Sequence, residues 1–445
     1  MADVRVPTRS KVLPAAILAA VLAMTAPPVQ PAFASAGDLD PSFGAGGRIL
    51  TDFGAERNDS AYALALGGRG KIIVAGTAET KAGQRFALAR YRPAGSLDPR
   101  FGGGGKVETG FGAGFQTARD VAVQPGGKVV VAGWANASGT TDFALARYRP
   151  DGRLDPTFGG DGRVLTNFGA GSTDQAEAVE LLPDGRIVVA GRTLSATSAA
   201  SDFALARYRT NGTLDPSFGG DGRITTDFGG NDDRAETITL QSDGGMVAAG
   251  STSAGAASSF ALARYTSSGA LDPGFGGDGR VTTAFGGGPA EALDLAIDGS
   301  ALVAVGSVFT GPQVRDHSFG LARYTSTGAL AGGFGSGGRV VTDLGANGGD
   351  NVATSVAVAS GKLLVAGDTS TLTSDYDHSF ALVRYTSTGA LDPAFGSDGA
   401  VRTNFGPGWD LARDVSVDDK GRMVVVGVAS AVRGGDFALA RYVGS

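Results

Sequence analysis

Cysteine is absent from this chain, and histidine and tryptophan occur only twice each among 445 residues. Without cysteine there is no disulfide framework and no thiol chemistry, a usage compatible with an exported protein. Two histidines leave little material for histidine-based metal sites or acid–base relays. No basic stripe exists: 38 Lys and Arg face 44 Asp and Glu, for a net charge of −6. Binding to a phosphate backbone is therefore excluded as the main task, and no nucleic acid partner is expected. His-Glu-x-x-His, Gly-x-Ser-x-Gly and Walker motifs are all missing. Helical periodicity is missing too, so the glycine-rich stretches cannot be dinucleotide-binding loops, which need a following helix.

Glycine itself is plentiful, at 73 residues, well above the usual share of about 7%. The glycines mark the joints of a unit that occurs seven times: Phe-Ala-Leu-Ala-Arg-Tyr, a short polar turn, then Leu-Asp-Pro-x-Phe-Gly. The clearest copy runs from Phe203 to Tyr208 and resumes at Leu214, Asp215, Pro216 and Phe218. The Leu recurs as Leu39, Leu97, Leu154, Leu214, Leu271, Leu330 and Leu391, at spacings of 57 to 61 residues. One supersecondary unit copied at a fixed period means a solenoid or a propeller. Of 23 Phe, 20 fall in three slots of the repeat, and seven of nine Tyr share one slot. The aromatics are mainly core spacers.

Ahead of the repeats, residues 1–36 have the form of an export signal. Arg5, Arg9 and Lys11 precede a short apolar run, Val12 to Ala26, and Ala32-Phe33-Ala34 supplies small residues for cleavage. The run is interrupted by Pro14 and is short of the ~20 residues a membrane span needs. The expected mature protein, residues 37–445, is secreted, has no membrane span and is monomeric. Removing Arg5, Arg9 and Lys11 together with Asp3 takes the net charge from −6 to −8.

Each unit offers four short β runs separated by Gly, Pro and Asp. In the third unit these are Arg163–Phe168, Ala176–Leu182, Arg186–Ala190 and Phe203–Tyr208, with Pro183-Asp184-Gly185 as a tight hairpin turn. The last run is apolar on both faces: Phe203 and Leu205 point one way with Arg207, Ala204 and Ala206 the other with Tyr208. Sheets covered on both faces, large residues meeting small, are propeller blades. The predicted fold is all-β, a seven-bladed β-propeller of four-stranded antiparallel blades. Because the chain begins on an outer-type strand, Arg48–Phe53, and ends on a third strand, that first strand is expected to close the ring by completing the seventh blade.

An Arg on the apolar face needs a partner. The link Asp is the candidate in the pairs Arg90–Asp98, Arg147–Asp155, Arg207–Asp215, Arg264–Asp272 and Arg384–Asp392, with Asp40 serving Arg441 across the closure. The rival arrangement has Asp capping its Pro turn and Arg bonding carbonyls. The sixth link, Leu330-Ala331-Gly332-Gly333-Phe334, lacks the Asp. Arg323 is thus left without a link carboxylate, and its junction is expected to be the loosest.

The second–third loops and the crossovers between blades vary most between copies, and in a propeller both emerge on one face. Loops held by a rigid scaffold are where binding evolves. Phe115, Trp134 and Trp409 fall there and could stack a sugar or peptide, or pack locally beneath a loop. His317 and His378 occupy equivalent positions in adjacent units. With Asp375 they could form a small metal or acid–base cluster, or be a matching pair left by duplication. No cofactor is expected beyond weak calcium binding at acidic crossover residues Asp174, Asp232, Asp233 and Asp350, which otherwise are solvated charge.

The Phe-Ala-Leu-Ala-Arg-Tyr strand, the Asp-Gly-Arg/Lys hairpin and Leu-Asp-Pro-x-Phe-Gly, in that order, resemble the delta-60 repeat of secreted bacterial proteins. The resemblance covers residues 38–445. It implies a β-propeller and brings no catalytic residues. Two functions follow as candidates. One is a non-catalytic extracellular scaffold binding a protein, peptide or surface glycan through the loop-rich face. The other is a polysaccharide hydrolase or lyase using carboxylates near a central channel, from among Glu177, Glu180, Glu236, Glu291, Asp294 and Asp414.

Overall fold

In the computed structural model the described residues are 35–54, 58–81, 83–137, 139–198, 200–229, 232–254, 257–286, 288–311, 316–345, 349–370, 378–431 and 434–444. The expected export signal lies, up to residue 34, outside them. The strands form seven four-stranded antiparallel sheets. Among the described residues the one helical turn is the 3-10 turn Gly68–Gly70, and no helix is long and apolar enough to cross a membrane. The fold is an all-β, seven-bladed propeller.

Blade three shows the plan. Its inner strand Thr173–Leu181 pairs with Ile187–Leu194, that with Ser201–Tyr208, and that with the outer strand Arg223–Thr226. In the seventh blade Asp410–Val417, Met423–Ala431 and Gly434–Tyr442 are joined by Arg48–Thr51, whose Thr51 lies opposite Phe437 and Arg48 opposite Ala440.

Neighbouring blades share cores. Phe143 and Leu145 of blade two pack with Ala204, Ala206 and Tyr208 of blade three, while Phe203 and Leu205 pack with Ala261, Ala263 and Tyr265 of blade four. Each fully buried Phe or Leu side chain stabilises by roughly 1.5–3 kcal/mol, so the alternation in one six-residue strand glues both sides of every blade. A polar clasp runs beside this packing. The hydroxyls of Tyr91, Tyr148, Tyr208, Tyr265 and Tyr324 donate at 2.8 Å to Thr51, Thr109, Thr166, Thr226 and Thr283 on the preceding blade's outer strand.

Arg207 is 1% exposed. Its Nε donates to Asp215 Oδ2 at 2.8 Å, its Nη2 to Ser217 Oγ at 2.9 Å, and its Nη1 to the carbonyl of Ser267 in the next blade. The guanidinium also lies over the Phe218 ring. The same Asp215 accepts the Ser217 N–H, so the ion pair, the turn cap and the carbonyl bond coexist. Nε–carboxylate bonds of 2.7 to 3.1 Å join Arg90 to Asp98, Arg147 to Asp155, Arg384 to Asp392 and Arg441 to Asp40. A second base, from the residue after the hairpin Gly, joins most of them: Lys71 on Asp98, Lys128 on Asp155, Arg186 on Asp215 and Lys362 on Asp392. Burial alone would raise the carboxyls of Asp98, Asp155 and Asp215; the donors around each outweigh it and hold all three below the ordinary range.

Two blades depart from the plan. Blade four has Gly245 where the second base should be. Arg264 turns to Asp243, its bond to Asp272 lengthens to 3.3 Å, and the Asp272 side chain is 27% exposed. In blade five Arg323, expected to lack a carboxylate, pairs instead with Asp298 from its own blade's inner hairpin, at 2.8 Å. Two of the expected open second–third loops are also mostly strand. Lys71–Thr80 leads to Gly83–Tyr91 and Val129–Asn136 to Thr141–Tyr148; of the expected loop 368–379, residues 371–377 lie outside the described residues. The Thr and Asn of those two hairpins read as loop, but backbone ladder bonds do not depend on side-chain polarity once the neighbouring blade covers one face.

Candidate functional site at the propeller axis

The inner strand turns its edge to the axis, so ordinary ladder positions aim their side chains at neighbouring blades. An extra residue escapes that alternation. Every inner strand carries such a bulge, between Ala61 and Ala63, Ala118 and Asp120, Ala176 and Ala178, Ala235 and Thr237, Ala292 and Asp294, Ala353 and Ser355, and Ala412 and Asp414. The seven bulged residues are Tyr62, Arg119, Glu177, Glu236, Leu293, Thr354 and Arg413, and together they line one axial cavity of about 130 Å³.

The bulge has a sequence cause in the facing strand. At Gly191 a Cβ would sit 1.9 Å from the Gln175 carbonyl oxygen, and at Gly250 1.8 Å from that of Arg234. The Gly of each Val-Ala-Gly hairpin strand makes room for the carbonyl that the bulge pushes across.

The cavity divides by charge. Tyr62, Arg119 and Arg413 come from blades one, two and seven, which are consecutive around the ring; Glu177 and Glu236 come from blades three and four. Arg119 pairs with Glu177 and lies over the Tyr62 ring, 4.6 Å from its centroid. Burial, reinforced by the Glu177 charge, pushes the Glu236 carboxyl up to about 7. Arg413 Nε is buried without a hydrogen-bond partner, and burial lowers its guanidinium from the ordinary value.

The next residue along the strand is structural. Asp120 accepts the N–H groups of Val121 and, from the next blade, Val179, both at 2.7 Å. Asp294 does the same with Leu295 and Val356, and Asp414 accepts from Leu64 of blade one. The Ser355 hydroxyl bridges Asp294 and Asp414 at 3.0 and 2.9 Å. Burial pushes Asp120 and Asp414 up to about 7 despite these donors.

Of the channel carboxylates expected from sequence, Glu177, Glu236, Asp294 and Asp414 therefore meet around the axis. Glu291 is exposed outside this lining and Glu180 lies farther along its strand. Arg119, Arg413 and Tyr62 went unnoticed in the sequence, though all three stand in the Ala-x-[Ala/Asp] slot that holds Glu177.

The loop-face residues are placed separately. Phe115 is 67% exposed, on a segment pinned by Gln116, whose amide accepts the Phe111 N–H at 2.7 Å and donates to the Gly112 carbonyl at 2.8 Å. The Phe115 carbonyl accepts the Asn136 N–H. Trp134 is not a loop residue but part of Val129–Asn136, opposite Thr117 and Phe143. Trp409 bridges to His378 between blades six and seven. Blades seven and one separate Trp409 from Phe115 and Trp134, so they form no single aromatic patch.

The histidines do not converge on one ligand. His317 Nδ1 bonds Asp350 Oδ1 at 2.7 Å, which raises its pKa, and stacks edge-on with Phe309. His378 Nδ1 bonds Asp368 Oδ2 at 3.0 Å. Among the described residues neither belongs to a group of three ligating side chains; Asp375 lies outside those residues. An opening of about 880 Å³ lies on the opposite face, between the Gly67–Gly68–Arg69 turn of blade one and Gln124–Gly127 of blade two.

Fold and repeat chemistry thus define a seven-bladed repeat propeller with a small charged axis. Residues 70–101, 124–158, 182–218, 241–275 and 359–395 match a β-propeller domain of unknown function, DUF5122, and support a propeller repeat family of unknown function. No curated protein matches the sequence. Similar solved structures include the polysaccharide lyase Uly1, at 10% identity over 88% of this chain and 90% of that one, TM-score 0.47. The α-L-arabinofuranosidase Arb93A from Fusarium graminearum gives 9% identity over 89% and 97%, TM-score 0.46. Drosophila Plexin A in complex with Semaphorin 1b gives 9% over 92% and 88%, TM-score 0.45. At these values the likenesses carry nothing about this chain's chemistry.

Proposed function

We propose that the protein is a secreted, monomeric delta-60-type propeller that binds a protein, peptide or surface glycan, without catalysis, through the face formed by crossovers and second–third hairpins. The observation that carries this reading is Phe115: a large aromatic left in water on a backbone segment fixed by three hydrogen bonds. A rigid aromatic anchor loses little freedom on binding, so its burial goes mostly into affinity. The axis supports a ligand site less well, since about 130 Å³ is below the roughly 300–1,000 Å³ of usual ligand pockets.

The glycan-cleaving alternative has one observation in its favour. Glu236, pushed up to about 7, stands beside an Arg119-paired Glu177, and carboxyls in contrasting environments can divide acid and base roles. A glycan-array and pull-down screen, run with and without calcium, tests the first reading. Capture abolished by Phe115→Ala supports it. Capture that survives Phe115→Ala but fails in Arg69→Ala moves binding to the opposite face. Polysaccharide cleavage lost in Glu236→Gln replaces it with the alternative.

A further inference from the structure

Where one blade hands over to the next, three side chains meet: the residue before the third-strand Phe, the residue after the outer-strand Thr, and the residue two before the Ala that precedes the bulge of the following inner strand. The seven junctions form an internal series. Between blades four and five the three are Ser259, Ala284 and Ala290, with no charge. Between two and three they are Asp142, Asn167 and Asp174. There the Asn167 amide donates to Asp142 at 2.7 Å, and Asp174 accepts from the Phe168 N–H, the Ser172 hydroxyl and the Thr193 hydroxyl. Between five and six Asn351 donates to Asp343 at 3.1 Å. At these two junctions a neutral amide sits beside each carboxylate cluster.

Between blades three and four that amide is replaced. Asp202, Asp227 and Asp233 each bring a carboxylate oxygen within 4.8 Å of the other two. No basic side chain among the described residues forms an ion pair with any of them. Asp233 is 1% exposed. Its Oδ2 accepts the Phe228 N–H at 2.7 Å, but its Oδ1 is buried with no donor in hydrogen-bonding position; the Thr252 hydroxyl, which stands where Thr193 serves Asp174, is near enough only to offset part of the burial. Asp227 gives one oxygen to the Gly229 N–H and is exposed, leaving the group open to solvent on one side. Burial and mutual repulsion push the carboxyls of Asp202 and Asp233 up.

A buried carboxylate oxygen without a well-placed donor destabilises the fold, and two further carboxylates beside it worsen the repulsion. A hard divalent cation removes both costs, and calcium accepts irregular sets of carboxylate and water oxygens. We propose that Asp202, Asp227 and Asp233 form a calcium site at the junction of blades three and four, with water completing the coordination from the Asp227 side. A similar triad, Asp52, Asp59 and Asp436, closes the ring between blades seven and one. There both Asp59 oxygens accept backbone N–H groups, from Phe53 and Glu79, and the proposal does not extend to it.

The blade-two junction supplies the test variant. Asp227→Asn recreates the Asp-Asn-Asp set that the fold already tolerates. Calorimetric titration of the purified exported protein with CaCl2 at pH 7.5 should give saturable heat, in the ~10⁻⁴–10⁻³ M range of extracellular calcium modules. Calcium should raise the thermal midpoint by about 1–3 °C relative to EDTA. Asp227→Asn should lose both responses while keeping its circular dichroism spectrum and a cation-free midpoint at or above that of the parent. Asp202→Asn is the second variant, with the same expectation. Absence of any response to 10 mM CaCl2 would overturn the proposal and leave a shared proton as the solution to the repulsion. A calcium response undiminished in both variants would overturn the location.

Discussion

Arg323 of blade five reaches Asp298 at 2.8 Å, in the one blade whose link lost its Asp. The carboxylate has moved from the link to the inner hairpin while the guanidinium stays over Phe334. Requirement for an anion belongs to the Arg slot and not to the link. Asp298→Ala should therefore destabilise the protein, by about 1–3 kcal/mol, because Arg323 is only half-buried. Asp215→Ala should cost more, about 3–5 kcal/mol, since it strands a fully buried Arg207. Denaturant midpoints of the two variants check the ranking.

Stability should fall as pH rises from acid to neutral. Burial pushes the carboxyls of Glu236, Asp120 and Asp414 up to about 7 in the fold, against roughly 4 when unfolded. A raised carboxyl contributes stability that is complete below its unfolded pKa and is lost as pH climbs through its folded pKa. The link carboxylates act in the opposite sense: held low, they lose their contribution as pH drops below about 4. The thermal midpoint should therefore peak near pH 4–5 and decline toward pH 8. Glu236→Gln should flatten the decline by an amount on the order of 1–3 kcal/mol. A midpoint that rises steadily from pH 5 to pH 8 would contradict the buried axial acids.

Gly191→Ala probes the bulge. The added methyl would meet the Gln175 carbonyl at 1.9 Å, closing the space into which blade three's inner strand bows. Loss of several kcal/mol, about 2–4, is expected, whereas Gly220→Ala, with nothing within 4 Å of the new Cβ, should cost less although its φ is +94°. Urea midpoints for the pair distinguish crowding from backbone strain.

The propeller was legible because Phe203, Leu205, Ala204 and Ala206 alternate in size on two faces, a pattern that only a doubly covered sheet uses. The axis was harder to read. Nothing local distinguishes Glu177 from any strand residue; only the bulge turns it toward Arg119, which is 58 positions away. Glu236 and Asp414 stand among the candidate channel carboxylates, but the burial that pushes both carboxyls up is something no linear pattern displays. The hairpin lengths were misjudged at Trp134, since ladder pairing continues through Ser, Thr and Asn. Arg186 is visible as the base of the Asp184-Gly185-Arg186 turn, yet its reach to Asp215 needs the third dimension.

The axial ring and both faces require a closed circle, in which Arg48–Thr51 pairs with Phe437–Ala440 and Tyr91 bonds Thr51. The direct measurement compares residues 37–445 with 55–445 by thermal unfolding and size-exclusion light scattering. The shorter protein should unfold at least 10 °C lower or self-associate through its bared third strand. An unchanged midpoint with a clean monomer peak would contradict the closed ring.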